Sequence, residues 1–286
     1  MRNFYKLFKF LIALACLGAF AGNKSFAAGE NKILQADSIH IIKEALKGAS
    51  EKTLVVFDCD DVLTAAKGAV LKKGSRRFIK EWYSSSDKSL SFLDLVYKIL
   101  ALSESSVVNA EMPQLVRSLH EKNSKALVVT GFSTKPFQFG NVRDPKLWRT
   151  QRLNSLGYNF EKFWPGVGDK YFDGFGDPYD PSFSKGIVYT GVMLKSKGLE
   201  AFLNCVHFNP TAIIFIDDSE KILTEVSEWA KSKGIDFVGI HYTEASKIVP
   251  DFPFSKERAQ LQLDTVMGED RWLSDGEAED LLNQQE

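Results

Sequence analysis

The sequence predicts an α/β protein built on a parallel sheet, and three observations support this fold class. The segments TLVVFD (53–58) and TAIIFIDD (211–218) are apolar without alternation, as are strands that are buried on both faces. Other segments repeat apolar residues three and four apart, which is the spacing of one helix face. The two kinds of segment alternate along the chain. We therefore expect a Rossmann-like parallel sheet with helices on both faces and a mainly helical segment inserted after the first strand.

The first half of the chain opens with a helical pattern, DSIHIIKEALKG (37–48). Asp37 or Ser38 is its expected cap, and Gly48 is its expected stop. The buried strand TLVVFD follows. Residues 75–123 then carry three stretches with helical spacing: SRRFIKEWY, SLSFLDLVYKILAL and EMPQLVRSLHEKN.

The second half continues the alternation. KALVVTG (125–131) predicts a second buried strand, and DPKLWRTQRLNSLG (144–157) predicts a helix with Asp144 as cap, Pro145 at the first position and Gly157 as stop. The remaining segments are, in order, an aromatic and glycine-rich loop within 160–192, a strand in KGIVYTGV (185–192), a helix in KSKGLEAFLNCV (195–206), the strand TAIIFIDD, a helix in SEKILTEVSEWAKSKG (219–234) and a strand in IDFVGIHY (235–242).

Residues 1–27 have the layout of a cleaved secretory signal. Arg2, Lys6 and Lys9 precede the short apolar run LIALACLGAFA, and small residues lead up to Ala27. An uncleaved membrane anchor is the alternative, but the apolar run is short for a membrane span. We therefore expect a secreted or periplasmic protein with no stable membrane span after cleavage near Ala27.

The rest of the chain divides into three predicted parts. Residues 28–65 and 125–249 are expected to form the core domain, 66–124 the helical cap insertion, and 250–286 a polar C-terminal tail. A chain of this length can bury an ample core.

Composition excludes some functions. The formal net charge is −1, and loss of residues 1–27 would leave 32 basic against 37 acidic residues. This balance does not indicate a nucleic-acid partner. Of the three cysteines, only Cys59 and Cys205 would remain, so one disulfide is possible but a disulfide scaffold is excluded. Cys59 is interpreted as a small packed residue.

Carboxylates crowd the ends of two predicted strands. Asp58 and Asp60 follow the first strand, and Asp217 and Asp218 end TAIIFIDD. Ligands of parallel sheets bind beyond the carboxyl ends of the strands. In an extended segment, residues two apart such as Asp58 and Asp60 point the same way. A cation relieves the repulsion between such carboxylates. An all-oxygen site suits Mg²⁺ better than zinc, so the sequence predicts a magnesium site here.

A hard divalent ion beside carboxylates suits phosphoryl transfer, which needs an in-line nucleophile, charge neutralisation and a proton for the leaving oxygen. Asp58 can attack phosphorus and form an aspartyl-phosphate. Asp60 can protonate the leaving alcohol and then activate water. Thr130, which ends the second predicted strand, offers a hydroxyl and a backbone N–H to phosphate oxygens.

These motifs, in this order, resemble a phosphatase of the haloacid dehalogenase (HAD) superfamily. The resemblance rests on four motifs: DCDDVL (58–63), VVTG (128–131), the KG at Lys197, and IIFIDD (213–218). The motifs span residues 53–241. GIVYTG and GIHY, together with the secretory signal, also resemble a group of secreted bacterial members of this superfamily.

The resemblance implies specific roles. Asp58 is the nucleophile and a Mg²⁺ ligand, and Asp60 is the acid/base, with its backbone carbonyl on the metal. The other implied roles are phosphate binding by Thr130 and Lys197, and metal binding by Asp217 with Asp218 in support. Cofactor and substrate are accordingly expected to be Mg²⁺ and a phosphorylated small molecule or phosphopeptide.

Two details of the pattern differ or stay open. Asp61 and Val62 stand where glycine and threonine are common in the superfamily, a variation that does not touch the reacting groups. Lys185 and Lys195 compete with Lys197 for the phosphate-site lysine. The helix-opening context and the distance from the last acidic motif favour Lys197.

Other readings of the sequence remain. The main alternative is a non-catalytic secreted interaction protein that keeps the fold; its marker would be loss of Asp58 or Asp60, and neither is lost. Dehalogenation needs no metal, so the acidic pair Asp217 and Asp218 argues against it.

The resemblance implies that the inserted residues 66–124 are a cap, which closes over a small substrate and excludes water.

Overall fold

A computed structural model describes residues 31–86, 89–136 and 142–284. The predicted signal peptide therefore lies outside the described residues. The strands are β1 Lys32–Ala36, β2 Thr53–Phe57, β3 Thr64–Ala66, β4 Ser105–Val107, β5 Lys125–Thr130, β6 Lys170–Tyr171, β7 Ser182–Ser184, β8 Ile187–Tyr189, β9 Ala212–Asp217 and β10 Asp236–Tyr242. The α-helices are α1 Ile39–Ala45, α2 Arg77–Ser85, α3 Phe92–Leu102, α4 Met112–Glu121, α5 Pro145–Ser155, α6 Lys195–Val206, α7 Glu220–Ser232, α8 Lys256–Glu269 and α9 Asp275–Asn283.

The central sheet confirms the predicted α/β fold class. In the described residues it has eight strands in the order β1-β10-β9-β2-β5-β8-β7-β6. The pairs from β1 to β8 along this order are parallel. The edge formed by β7 and β6 is antiparallel, which the sequence did not predict. The result is a mostly parallel, Rossmann-like sheet flanked by helices.

The register of the sheet brings the predicted acidic strand ends together. Phe57 at the end of β2 pairs with Ile216 of β9 on one side and with Val128 of β5 on the other. The side chains of β2 are all buried, as expected for a central strand covered on both faces. The residues that follow these three strands therefore meet at one edge of the sheet.

The inserted unit is smaller than the sequence predicted. We use this name for residues 64–107, which hold helices α2 and α3 and the antiparallel pair of β3 and β4. Helix α4 lies within the predicted cap but belongs to the core domain, because Met112, Val116 and Leu119 are buried in the main hydrophobic core. This helix contacts β5 of the central sheet.

The C-terminal region also differs from the prediction. Residues 250–286 were expected to be a polar tail, but the structure has two helices here, Lys256–Glu269 and Asp275–Asn283. Helix α8 packs its apolar residues against the inserted unit. Together they form a second hydrophobic cluster of Val70, Leu71, Ile79, Trp82, Leu95, Ile99, Ala259, Leu263 and Val266. The tail therefore fixes the inserted unit in place.

Two further features bear on the sequence predictions. Cys59 is buried, as predicted for a small packed residue, and both Cys59 and Cys205 are free thiols. Among the described residues, no helix combines the length and the apolar composition that a membrane crossing requires.

Candidate active site

The candidate site lies where β2 and β9 end side by side. Asp58 is the first residue after β2, and its backbone N–H donates to the carbonyl of Ile216 in β9 at 2.8 Å. Asp217 is the last residue of β9 and has no exposed surface. This backbone hydrogen bond carries the pairing one residue past the strand, so the two carboxylates are held on one edge of the sheet.

Three carboxylates converge at this edge. Asp58, Asp217 and Asp218 each present an oxygen within 4.8 Å of the oxygens of the other two, and we call this set the acid cluster. Asp58 and Asp217 are buried, whereas Asp218 is partly exposed. Residues from two distant parts of the sequence thus come together, as the sequence predicted for a magnesium site.

A buried lysine bridges two members of the acid cluster. The Nζ of Lys195 lies 2.6 Å from Oδ1 of Asp58 and 2.8 Å from Oδ2 of Asp217. Lys195 is the first residue of α6, and its side chain is only 7% exposed. The remaining oxygen of Asp217 accepts a hydrogen bond from the backbone N–H of Ser219 at 2.8 Å. Lys195, Asp58 and Asp217 therefore each have a partner of opposite charge within hydrogen-bond distance.

The structure places the side chain of Lys195, and not that of Lys197, against the acid cluster. Lys197 is 53% exposed and faces Glu200 at 3.8 Å on the surface of α6. Lys185 is also exposed and lies 3.7 Å from Glu161. The choice of Lys197 in the sequence analysis is therefore corrected. Residues two apart in a helix project about 200° from each other, so both cannot face the site.

Burial shapes the charge states of the acid cluster. Desolvation, reinforced by the neighbouring charge of Asp217 and opposed by Lys195, raises the pKa of Asp58 to about 8. Burial also raises the pKa of Asp217 against the pull of Lys195. Burial alone would lower the pKa of Lys195, but the two carboxylates outweigh it and raise that pKa. Burial is thus the main reason that Asp58 and Asp217 hold a proton more readily than an exposed carboxyl group does.

A tight turn follows Asp58. The backbone N–H groups of Leu63 and Thr64 both donate to the carbonyl of Cys59, at 2.9 and 3.0 Å. Asp61 has a φ of +65°, a left-handed conformation that aspartate tolerates better than most residues. Its carboxylate pairs with Arg76 of the inserted unit at 2.7 Å. Aspartate therefore serves at a position where glycine is common, and it ties the turn to the inserted unit.

Asp60 lies outside the acid cluster, in an ion pair with Arg149. Nη1 and Nη2 of Arg149 donate to the two carboxylate oxygens of Asp60 at 2.8 and 3.1 Å. Burial favours the neutral acid, but Arg149 outweighs it and lowers the pKa of Asp60. The guanidinium of Arg149 packs against the rings of Phe132 and Trp148, at 4.4 and 4.8 Å from their centroids. Arg149 thus favours the ionised form of Asp60 when no substrate is bound.

Thr130 closes β5, the neighbour of β2, on the same edge. It is buried, its hydroxyl accepts from the backbone N–H of Phe132 at 3.2 Å, and its carbonyl accepts from the N–H of Thr190 at 2.9 Å. The loop after Thr130 is held by the carboxylate of Asp180, which accepts from the backbone N–H and the hydroxyl of Thr134 at 3.1 Å each. This network fixes the position of the loop.

The residues present fit a hard divalent cation. Magnesium prefers oxygen ligands, and the acid cluster offers carboxylate oxygens from three residues. Burial raises the pKa values of Asp58 and Asp217, and a cation bound by the cluster would favour their ionised forms. Asp60 does not contribute its carboxylate, so only its backbone carbonyl is left for the metal role that the resemblance implies.

Three residues around the site were not predicted from the sequence. These are Arg149, which holds Asp60, and two residues of the inserted unit: Arg76, which holds Asp61, and Lys73, which lies 3.3 Å from Asp218. Arg149 had a signal, because Pro145, Arg149 and Leu153 are spaced four apart on one buried helix face. A charged residue on such a face requires a buried partner.

Comparison with known proteins identifies relatives but no reaction. Residues 35–279 match the family described as "Protein of unknown function (DUF2608)". An uncharacterized protein of Rickettsia prowazekii is 25% identical over 281 residues, which is 96% of this chain and 98% of the relative. A Chlamydia trachomatis protein named "Putative outer membrane protein" is 34% identical over 230 residues, which is 76% of this chain and 79% of the relative. No solved structure matches the chain at a significant level of similarity.

Proposed function

We propose a function from the site itself, because the chain belongs to the DUF2608 family, whose description states no activity. The proposal is that the protein is a Mg²⁺-dependent phosphatase of the HAD type that hydrolyses phosphomonoesters through an aspartyl-phosphate. The observation that carries it is the bridge from Lys195 to Asp58 and Asp217, at 2.6 and 2.8 Å, at the ends of two neighbouring parallel strands. The resemblance of the motifs supports the same reaction.

Asp58 is the proposed nucleophile. One of its carboxylate oxygens attacks the phosphorus of the substrate, and the bond between phosphorus and the alcohol oxygen breaks. The alcohol leaves with the electron pair of that bond and takes up a proton. Lys195 and Thr130 are the proposed phosphate contacts, because both are buried at this edge of the sheet and offer N–H or O–H donors.

Water completes the cycle. It attacks the phosphorus of the aspartyl-phosphate, the bond from phosphorus to Asp58 breaks, and the Asp58 carboxylate is restored. Asp60 is the proposed proton carrier: in its protonated form it gives a proton to the leaving alcohol, and the resulting carboxylate takes a proton from the attacking water. The ion pair with Arg149 stabilises the ionised Asp60 that remains between these two transfers.

Mg²⁺ would be held by the acid cluster and by the backbone carbonyl of Asp60. When bound, it supplies positive charge that favours the ionised form of Asp58 and neutralises the phosphate oxygens. Lys195 supplies one charge to the same group, and Asp217 keeps Lys195 in position at 2.8 Å. The burial of Asp58 and Asp217 limits the access of bulk water to the nucleophile.

Export of the protein is part of the proposal. The layout of residues 1–27 predicts a secretory signal. The name of the Chlamydia trachomatis relative refers to the outer membrane, which is compatible with an exported protein. We therefore place the proposed activity in the periplasm or outside the cell.

The first test is hydrolysis of p-nitrophenyl phosphate by residues 28–286. We expect release of p-nitrophenol with added Mg²⁺, loss of release with EDTA, and recovery with excess Mg²⁺, because the acid cluster needs a cation to accept a phosphate dianion. Asp217→Asn should remove the activity, whereas Asp173→Asn, at an exposed position, should retain it. Metal-loaded protein that releases no product, or equal rates in wild type and Asp217→Asn, would refute the proposed function.

A further inference from the structure

A small cavity opens beside the acid cluster, between the core domain and the inserted unit. Its volume is about 180 Å³. Asp218 and His241 of the core domain line one part of it, and Lys72 and Lys73 of the inserted unit line another. Because Asp218 belongs to both the acid cluster and the cavity lining, the cavity lies next to the proposed nucleophile Asp58.

Not every charged side chain at the cavity is part of an ion pair. The carboxylate of Asp61 pairs with Arg76, and that of Asp218 faces Lys73 at 3.3 Å. Lys72 is different: its Nζ donates to the backbone carbonyl of Ala66 at 3.2 Å, and within the described residues it makes no ion pair. The ammonium group of Lys72 therefore has no ion-pair partner among the described residues, although the carboxylates of Asp61, Asp275 and Asp251 act on it from a greater distance.

The surroundings of Lys72 make this unpaired charge costly. Its side chain is half-buried, and desolvation lowers its pKa. The nearby carboxylate of Asp275 is already committed, because it accepts from the N–H of Ala69 at 2.8 Å and from Gln262 at 3.0 Å. A partly desolvated ammonium without a carboxylate is satisfied best by an anion that a ligand brings.

We propose that this cavity binds the leaving group of a small phosphomonoester that carries a second anionic group, such as a carboxylate, which pairs with Lys72. The inference rests on the proposed function and names its substrate class. The cavity volume limits the leaving group to on the order of six to ten non-hydrogen atoms, since a water molecule occupies about 30 Å³. This size favours a small metabolite over a phosphopeptide.

The test compares two esters that differ in one group. In 3-phosphoglycerate a carboxylate stands where glycerol 3-phosphate has a hydroxymethyl group. Calorimetry on the wild type in EDTA measures binding without turnover, because the proposed hydrolysis requires Mg²⁺. We expect 3-phosphoglycerate to bind about tenfold more tightly or better, the gain expected of one charge-assisted contact. The preference should disappear in Lys72→Met and persist in Lys72→Arg.

Lys67→Met is the matched control, because Lys67 lies in the inserted unit but pairs with Glu104 at 2.9 Å and does not line the cavity. It should leave the preference unchanged. Equal binding of the two esters, or a preference that survives Lys72→Met, would overturn the inference. Hydrolysis by the wild type separates the two proposals. Selective binding without hydrolysis of either ester would sink the proposed function alone, and hydrolysis without selectivity would sink this inference alone.

Discussion

Lys195→Met is expected to abolish phosphatase activity and to lower the free energy of unfolding by about 3 kcal/mol, the cost typical of removing one partner from a buried ion pair. The variant leaves Asp58 and Asp217 without the ammonium group that now lies 2.6 and 2.8 Å from them. Protonation of a carboxylate relieves part of this cost, so the loss of stability should be largest at high pH. Mg²⁺ should restore part of the stability.

Lys197→Met is the control for this prediction. The two lysines lie two residues apart in the same helix, but Lys197 is 53% exposed and faces Glu200 at 3.8 Å. Loss of such a surface pair changes stability by roughly 0.5 kcal/mol or less. Urea denaturation and the p-nitrophenyl phosphate assay measure both effects. Equal losses in the two variants would show that the position of Lys195 between the carboxylates has no special role.

Asp58→Asn is expected to reduce turnover by about 10⁴-fold or more, as removal of a nucleophile does in other enzymes. The amide keeps the shape of the carboxylate but cannot form the aspartyl-phosphate. Acid quenching of the wild type during turnover should trap phosphate on the protein, and the variant should trap none. Phosphate trapped equally on Asp58→Asn would assign the nucleophile elsewhere.

The same variant should change how stability depends on pH in the absence of metal. Burial raises the pKa of Asp58 to about 8, above its usual value of 3.8. The folded protein therefore binds an extra proton between these values, and the corresponding stability is lost as the pH rises through about 8. Asparagine does not titrate. Thermal unfolding without metal should thus favour Asp58→Asn increasingly from pH 6 to pH 9, and a difference that stays constant would contradict the raised pKa.

The sheet was predictable because its central strands are buried on both faces. Unbroken apolar runs such as β2 identify a parallel strand from composition alone, and the acids beyond them mark the edge where ligands bind. The antiparallel edge was not predictable in this way. Strands β6 and β7 have only two and three residues, which is too short for a hydrophobic period to be recognised.

The site lysine could have been found from the period of α6. Leu199 and Phe202 are buried, and Lys195 lies four and seven residues before them, on the same helix face. Lys197 is out of phase with this face. Lys197 was chosen by its position at a helix start and its distance from the last acidic motif. Neither criterion predicts the direction in which a side chain points.

The role of the C-terminal region was hidden by its polarity. Helix α8 buries Ala259, Leu263 and Val266 against the inserted unit, but it also buries Arg258 and Gln262. These polar residues are satisfied by long-range partners, such as Glu279 for Arg258 at 2.6 Å. Average composition therefore indicates an exposed tail, and only the tertiary contacts show that the segment is part of the fold.

Thermal unfolding with increasing Mg²⁺ tests the central claim most directly, because it reports binding without requiring a substrate. If Asp58 and Asp217 share one magnesium ion, the melting temperature of the wild type rises with Mg²⁺, and it rises more at pH 9 than at pH 6, where a proton competes for Asp58. Asp58→Asn and Asp217→Asn should each lose this rise, while Asp173→Asn keeps it. A wild type that does not respond to Mg²⁺, or an unchanged response in both cluster variants, would contradict the account.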